Sequence, residues 1–200
     1  MKKLVLATHN KHKVQEFRAL LGDIDVELLS LDDFPDVGEI SEEEPTLQGN
    51  ARTKASQAFR RLNLPCLGDD SGLEVYYLNK EPGAYSSRYA GPNATYADNC
   101  RKLLAKMKGV PPRRRAARFR CVLVFVAPNS PEILVEGVCN GVIAETPKGE
   151  HGFGYDPVFL PAGCNQTLAE LEPALKNELS HRGKAVRNIK SRLKEYFSSH

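Results

Sequence analysis

No apolar run in the 200-residue sequence approaches the ~20 residues of a membrane span. The opening Met-Lys-Lys-Leu-Val-Leu-Ala resembles a signal peptide for three residues only. Thr8-His9-Asn10-Lys11 then ends an apolar stretch too short for the hydrophobic region of a leader. Residues 4–7 therefore read as a first buried strand, and the expectation is a cytoplasmic protein with no membrane partner. Five cysteines, an odd number, include no C-x-x-C pair, which argues against a zinc site or a disulfide framework. Cys121 and Cys139 lie in apolar runs and read as small core residues. The spacing G-x-x-x-x-G-K-[ST] is missing, so there is no Walker phosphate loop. Internal repeats and low-complexity segments are missing too. The net charge is only +3. Basic residues do cluster, at Arg113, Arg114, Arg115, Arg118 and Arg120 and again over residues 182–194. Such runs are usually solvated faces, and no stable nucleic-acid partner is expected from them.

What is present suits one domain over residues 1–200, with room for two lobes. Val14, Phe17 and Leu21 mark one face of a first helix. Residues 26–30 read as a strand, and 32–45, acidic and holding two prolines, as a loop. A second helix begins near Thr46 with Ala51, Ala55, Phe59 and Leu62 as its stripe. Residues 64–68 read as a strand that delivers Asp69 and Asp70. Residues 79–95, rich in Gly, Pro and Asn, read as a long loop. Residues 96–107 look helical. Residues 119–127 are apolar enough for a strand buried on both faces, and 133–145 alternate like a bulged partner strand. A last helix covers about 184–197, with Val186, Ile189, Leu193 and Tyr196 toward the core. Alternating strands and helices followed by a hairpin predict an α/β fold with a mixed sheet.

The most informative segment is Leu67-Gly-Asp-Asp-Ser-Gly-Leu73. Two adjacent carboxylates repel, and desolvating them costs several kcal/mol each unless cations or donors answer them (~5 kcal/mol scale,). A metal ion is one such answer. Successive side chains of an extended segment point to opposite faces. Only one of the pair should face a substrate, and the other should meet backbone or a lysine. Ser71 follows, with a hydroxyl able to reach a phosphate or sugar.

Other segments are weaker alone. Thr8-His9-Asn10-Lys11-His12-Lys13 lies where a strand meets a helix start, a place that favours phosphate. Glu42, Glu43 and Glu44 precede the second helix. They either complement its N-terminus or include a ligand for a hard cation. Gly152-Phe153-Gly154-Tyr155-Asp156-Pro157 offers aromatic rings that can stack on a base or simply fill a core. Ser180-His181-Arg182-Gly183-Lys184 offers donors for a ring carbonyl.

In this order the segments resemble the inosine triphosphate pyrophosphatase family, the Ham1-like non-canonical purine nucleotide pyrophosphatases. Leu6-Ala-Thr-His-Asn-Lys11 is similar to the family's L-A-T-x-N-x-x-K opening. Asn50-Ala51 with Lys54 fits N-A-x-x-K-A. Asp69-Asp70-Ser71-Gly72-Leu73 matches D-D-S-G-L, and Pro82-Gly83 with Tyr85-Ser86-Ser87-Arg88-Tyr89 fits P-G-x-Y-S-A-R-Y. The 152–157 and 180–185 segments match G-F-G-Y-D-P and S-H-R-G-x-A. Any one is weak, and six in order make chance very improbable.

The resemblance implies an elongated mixed sheet flanked by helices, with two lobes around a central substrate cleft, usually as a homodimer. It implies Mg²⁺-dependent hydrolysis of ITP, dITP or XTP to monophosphate and pyrophosphate. Thr8, His9, Asn10, Lys11, His12 and Lys13 would hold the triphosphate, with Lys54 and Lys176 helping to neutralise it. Asp70 would activate water. Ser71, Phe153, Gly154, Tyr155, Asp156, Lys176, His181 and Arg182 would bind substrate. The family usually has T-F-E-E-N-A, whereas Thr46-Leu-Gln-Gly-Asn-Ala51 lacks both acids. Glu42 fits an upstream family Glu and is the expected metal ligand beside Asp70. A Maf-like pyrimidine nucleotide pyrophosphatase shares the general logic but not the G-F-G-Y-D-P and S-H-R-G segments. An RNA-binding module would use Arg113–Arg120 and the last helix, with Phe119 and Tyr196 as stacking platforms. A nucleotide sensor without turnover is the remaining alternative.

Overall fold

The computed structural model describes residues 2–199. Its strands are β1 (Lys3–Leu6), β2 (Glu27–Ser30), β3 (Cys66–Val75), β4 (Glu81–Pro82), β5 (Ala116–Val126), β6 (Ile133–Ile143) and β7 (Phe159–Pro161). Its α-helices are α1 (Lys11–Leu21), α2 (Leu47–Leu62), α3 (Tyr96–Lys106), α4 (Pro173–Leu179) and α5 (His181–Ser199). The strands form one sheet in the order β2-β1-β3-β5-β6-β7, with β4 paired to β3. β1 is parallel to both β2 and β3, while β4 and β7 run antiparallel to β3 and β6. This is the mixed α/β arrangement expected from the sequence. No helix among the described residues is long and apolar enough to cross a membrane.

Two compact units divide the chain. Among the described residues, one comprises 2–70, 121–137 and 185–199, the other 71–120 and 138–184. In the first unit, Val14, Phe17 and Leu21 of α1 pack with Leu4, Leu6, Leu67, Leu123, Phe125, Val186, Ile189 and Leu193. The periodic positions of α1 and α5 are buried because both helices turn one apolar face to the sheet. A second cluster gathers Val5, Leu31, Ala58 and Cys66, with Phe59 and Leu62 half-buried against it. In the second unit the core is built from Leu73, Val75, Leu103, Met107, Phe119, Ile143, Val158 and Phe159.

Five strands and helices differ from expectation. β3 does not stop at Gly68 but continues through Asp69 and Asp70 to Val75, because the charges inside it are answered. The segment 79–95 holds β4 and a 3₁₀ turn over Gly83–Arg88. β7 and α4 escaped notice, being three and seven residues long, too short to show a period. α5 begins at His181 because Ser180 Oγ accepts from the Gly183 N–H at 3.1 Å, an N-cap arrangement.

The basic run is not one solvated face. Arg115 is buried and donates to the carbonyls of Met107, Val110, Ile143 and Ala144. It thereby satisfies the end of α3. Arg118 and Arg120 both pair with Glu74 at 2.8 Å. That leaves Arg113 and Arg114 exposed, a poor electrostatic footprint for RNA.

α2 lies very close to β3. A Cβ placed on Gly68 would stand 2.1 Å from the Ala51 carbonyl oxygen and 2.8 Å from the Ala55 nitrogen. Only hydrogen fits there, and this approach brings Asn50 and Lys54 to the Asp pair. Gly68→Ala should cost at least ~2 kcal/mol of stability, since backbone rather than a mobile side chain must move. Urea denaturation measures this, and a loss below ~0.5 kcal/mol, the size of an ordinary surface substitution, would contradict it.

Candidate functional site

Within β3, Asp69 and Asp70 project to opposite faces as the strand period requires. Asp69 is fully buried. It forms an ion pair with Lys13 of α1, and its Oδ2 accepts from the Cys121 thiol at 3.2 Å. Asp70 is 6 % exposed. Its Oδ1 meets Lys54 Nζ at 3.1 Å, and its Oδ2 accepts from Asn50 Nδ2, also at 3.1 Å. Lys54, itself buried, donates to the Asp69 carbonyl at 3.0 Å and pairs with Glu42 Oε1 at 2.8 Å. The strand and three upstream segments thus bring Glu42, Asp69 and Asp70 around two lysines.

The carboxylates outnumber the ammonium groups. Burial raises the Asp70 carboxyl above its ordinary 3.8, and Lys54 and Lys13 offset only part of the shift. Burial alone would lower Lys54, but the fields of Asp70, Glu42 and Asp69 outweigh it and raise its pKa. The surplus of hard oxygen donors would suit a divalent cation on Asp70 and Glu42. Among the described residues, no group of three or more His, Cys, Asp or Glu side chains is arranged for a metal. Mg²⁺ usually takes only one or two carboxylates, with phosphates and water completing its shell.

Gly49 lies beneath the acidic loop that precedes α2. The Glu44 side chain lies over it: a Cβ on Gly49 would stand 2.8 Å from Glu44 Cβ and 3.1 Å from its Oε2. The Glu44 N–H donates to Asn50 Oδ1 at 3.0 Å. Asn50 therefore ties the acidic loop to Asp70 through the two ends of one amide.

The 8–13 segment is divided in its contacts. Asn10 caps α1, accepting from the N–H groups of His12 and Lys13 at 3.0 and 3.3 Å. Those two donors are already engaged, and Lys13 turns to Asp69. Thr8 Oγ1 accepts from the Asn10 N–H at 3.1 Å. His9 pairs with Asp32 at 2.7 Å, and Lys11 is exposed at the helix start.

The second unit carries a separate group. Asp156 and Lys176 are both buried and form a 2.6 Å ion pair. Asp156 Oδ2 also accepts from the Phe153 N–H at 2.9 Å. The Phe153 ring lies 5.2 Å from Lys176 Nζ and 5.4 Å from the Arg182 guanidinium carbon, within cation–π range. Arg182 reaches Ser71 Oγ at 3.3 Å. His181 is buried and stacks on Phe119, centroids 4.6 Å apart and 9° from parallel, so Phe119 is core. Tyr155 faces inward: it is buried, and its hydroxyl donates to the Ser86 carbonyl at 2.9 Å. Burial pushes its pKa up strongly, so it anchors the loop as a neutral phenol, and Gly154 offers its carbonyl to the Cys100 thiol at 3.3 Å.

Sequence reasoning missed Asn50 as a partner of Asp70, although its N-A-x-x-K motif was in view. It also missed Tyr96, whose ring lies 5.8 Å from Phe153, and Cys121, which gave no signal beyond its apolar setting.

The fold and these two groups define a mixed α/β protein with buried acid–lysine chemistry and a cation-flanked aromatic loop. The chain belongs to the Ham1 family, whose model matches residues 4–192. The dITP/XTP pyrophosphatase of Geobacillus kaustophilus (strain HTA426) is 47 % identical over 195 residues, covering 98 % of this chain and 96 % of that protein. That of Vibrio parahaemolyticus (serotype O3:K6, strain RIMD 2210633) is 48 % identical over 195 residues, covering 96 % and 97 %. A HAM1 protein from Coxiella burnetii has a similar solved structure, with TM-score 0.88 and 39 % identity over 98 % of this chain and all of that one. The Staphylococcus aureus Ham1 protein gives 0.86 and 34 % over the same shares. The family resemblance seen in the motifs is therefore borne out over nearly the whole chain.

The raised pKa of Asp70 has a pH consequence. The folded protein holds a proton there that the unfolded chain releases near 3.8. That contribution to stability is complete below 3.8 and is lost as pH rises through the folded value. Asp70→Asn abolishes this titration. Relative to the variant, the wild type should lose stability as pH rises from 3 toward neutrality; parallel curves in urea melts across that range would contradict it.

Proposed function

We propose that this protein hydrolyses non-canonical purine nucleoside triphosphates, namely ITP, dITP and XTP, to the monophosphate and pyrophosphate. The observation that carries the reading is Asp70, a buried carboxylate of raised pKa among lysines, in a chain whose relatives are named dITP/XTP pyrophosphatases. The chemistry is water attack on the α-phosphorus, with the bond to the β-phosphate oxygen breaking in line. Asp70 takes the proton of the attacking water. A base of raised pKa serves better than an ordinary Asp because proton acceptance improves as its pKa approaches the working pH.

Asp70 and Glu42 are the residues that would hold Mg²⁺. When bound, the ion would neutralise charge developing on the phosphate oxygens. Lys54 sits on both carboxylates, so it is placed to share its charge with an arriving phosphate. Lys13 and the 8–12 segment at the head of α1 would hold the outer phosphates, with Lys11 as the exposed charge.

In the second unit, Phe153 offers a ring for base stacking, worth ~1–3 kcal/mol. Ser71, Lys176, His181 and Arg182 would bind around it. Tyr155 and Asp156 would contribute by holding the loop. Donors from His181 or Arg182 suit a 6-oxo purine, whereas the amino group of adenine opposes them. A site built around such a bond can reject the mismatched analogue by ~10⁴. A homodimer, as the family resemblance implies, acting in the cytoplasm, completes the proposal.

Pyrophosphate release from dITP should require Mg²⁺, and Asp70→Asn should lower kcat at least ~100-fold. Near-wild-type turnover in the variant would remove Asp70 from the role. In kcat/KM, dITP and XTP should exceed ATP and GTP; equal values for the four would refute the specificity.

A further inference from the structure

The loop that carries Phe153 is braced by one face of α3. Tyr96 and Cys100 are four residues apart and so lie on the same side of that helix. Tyr96 meets the Phe153 ring, centroids 5.8 Å apart and 46° from parallel. Cys100 Sγ donates to the Gly154 carbonyl at 3.3 Å. Burial pushes the Cys100 thiol up to about 11, so it remains a donor at neutral pH.

The start of α3 is itself fixed. Thr95 and Asp98 form a reciprocal capping box: Thr95 Oγ1 accepts from the Asp98 N–H at 3.1 Å, and Asp98 Oδ2 accepts from the Thr95 N–H at 2.9 Å. Tyr96 is the first residue of the helix so capped. The residue is 40 % exposed, so it adds little to the core. On the other side of the loop, Gly152 takes φ +77°, in the left-handed region, and a Cβ there would stand 2.2 Å from Asp156 Oδ2. The backbone on either side of Phe153 is thus pinned. The ring, flanked by Lys176 and Arg182, has Tyr96 as its aromatic neighbour.

We propose that Tyr96 is a positioning residue for base recognition: through its contact with Phe153 it sets the pose of the ring on which the purine stacks. This rests on the reading that Phe153 carries the base. An edge or tilted aromatic contact restricts the partner ring by a fraction of a full stacking interaction. Its loss should therefore weaken ground-state binding of the base without touching the proton transfer at Asp70.

The test compares steady-state kinetics of Tyr96→Ala, Tyr96→Phe and Phe153→Ala with dITP, XTP and GTP under Mg²⁺, with thermal melts of each. Tyr96→Ala should raise KM for dITP and XTP by ~3–10-fold, the range that such a contact spans. Its kcat should stay within ~2-fold, its melting temperature should fall by no more than ~5 °C, and its preference over GTP should narrow. Tyr96→Phe, which keeps the ring, should restore wild-type values. Phe153→Ala separates the two ideas. If it leaves KM unchanged, the base does not stack there and the underlying reading fails. If Phe153→Ala raises KM while Tyr96→Ala does not, the reading stands and the positioning role is overturned. A Tyr96→Phe variant as impaired as Tyr96→Ala would also overturn it, because the hydroxyl and not the ring would then matter.

Discussion

Asp69 and Asp70 can sit inside a continuous strand only because lysines reach them from opposite faces. Lys13 comes from α1 and Lys54 from α2. Two unanswered carboxylates at that depth would have ended the strand or driven it to the surface. Much else in the first unit follows from that pairing. α2 must approach β3 closely enough for a buried lysine to reach Asp70, which is why Gly68 has no side chain. α1 must begin close enough for Lys13 to turn inward, and the Asn10 cap fixes where it begins. The carboxylates are still in excess after both lysines are counted. The unit therefore carries a built-in appetite for positive charge, and its two lysines stand where an anionic ligand could recruit them.

The second unit solves a different problem. It presents an aromatic ring on a loop and must keep that loop from collapsing onto its own core. Buried ionic and hydrogen-bonding anchors do this: Asp156 on Lys176, Tyr155 on the Ser86 carbonyl, and Cys100 on Gly154. Each is satisfied within the unit, so burial of these polar groups does not leave orphaned donors. Arg115 plays the corresponding part at the end of α3. The result is a half-buried phenylalanine surrounded by cations whose backbone has little freedom.

Much of this was legible in the sequence, and the exceptions share a cause. The apolar stripes of α1 and α5 were readable because burial there follows a helical period. That the two Asp side chains face opposite ways followed from strand alternation. The family emerged from the order of six short motifs. What was not legible depended on contacts remote in sequence. The strand expected over 64–68 in fact runs from Cys66 to Val75, because nothing local shows that Lys13 and Lys54 answer the charges inside it. The basic run at 113–120 was read as solvated, while Arg115 in fact binds carbonyls up to 29 residues away. Tyr155 was grouped with the substrate residues because its motif is contiguous with Phe153. Successive residues of a tight loop face different ways, and its ring belongs to the core.

Asn50 gives the first unit a sense of direction. A carboxamide has one accepting and one donating end. Here the accepting end is taken by the backbone of the acidic loop and the donating end by Asp70. With Lys54 on its other oxygen, Asp70 receives a donor on each oxygen, so an incoming proton must settle on a lone pair that neither partner uses. The acidic loop thus reaches Asp70 along two routes, a charged one through Glu42 and Lys54 and an uncharged one through Asn50.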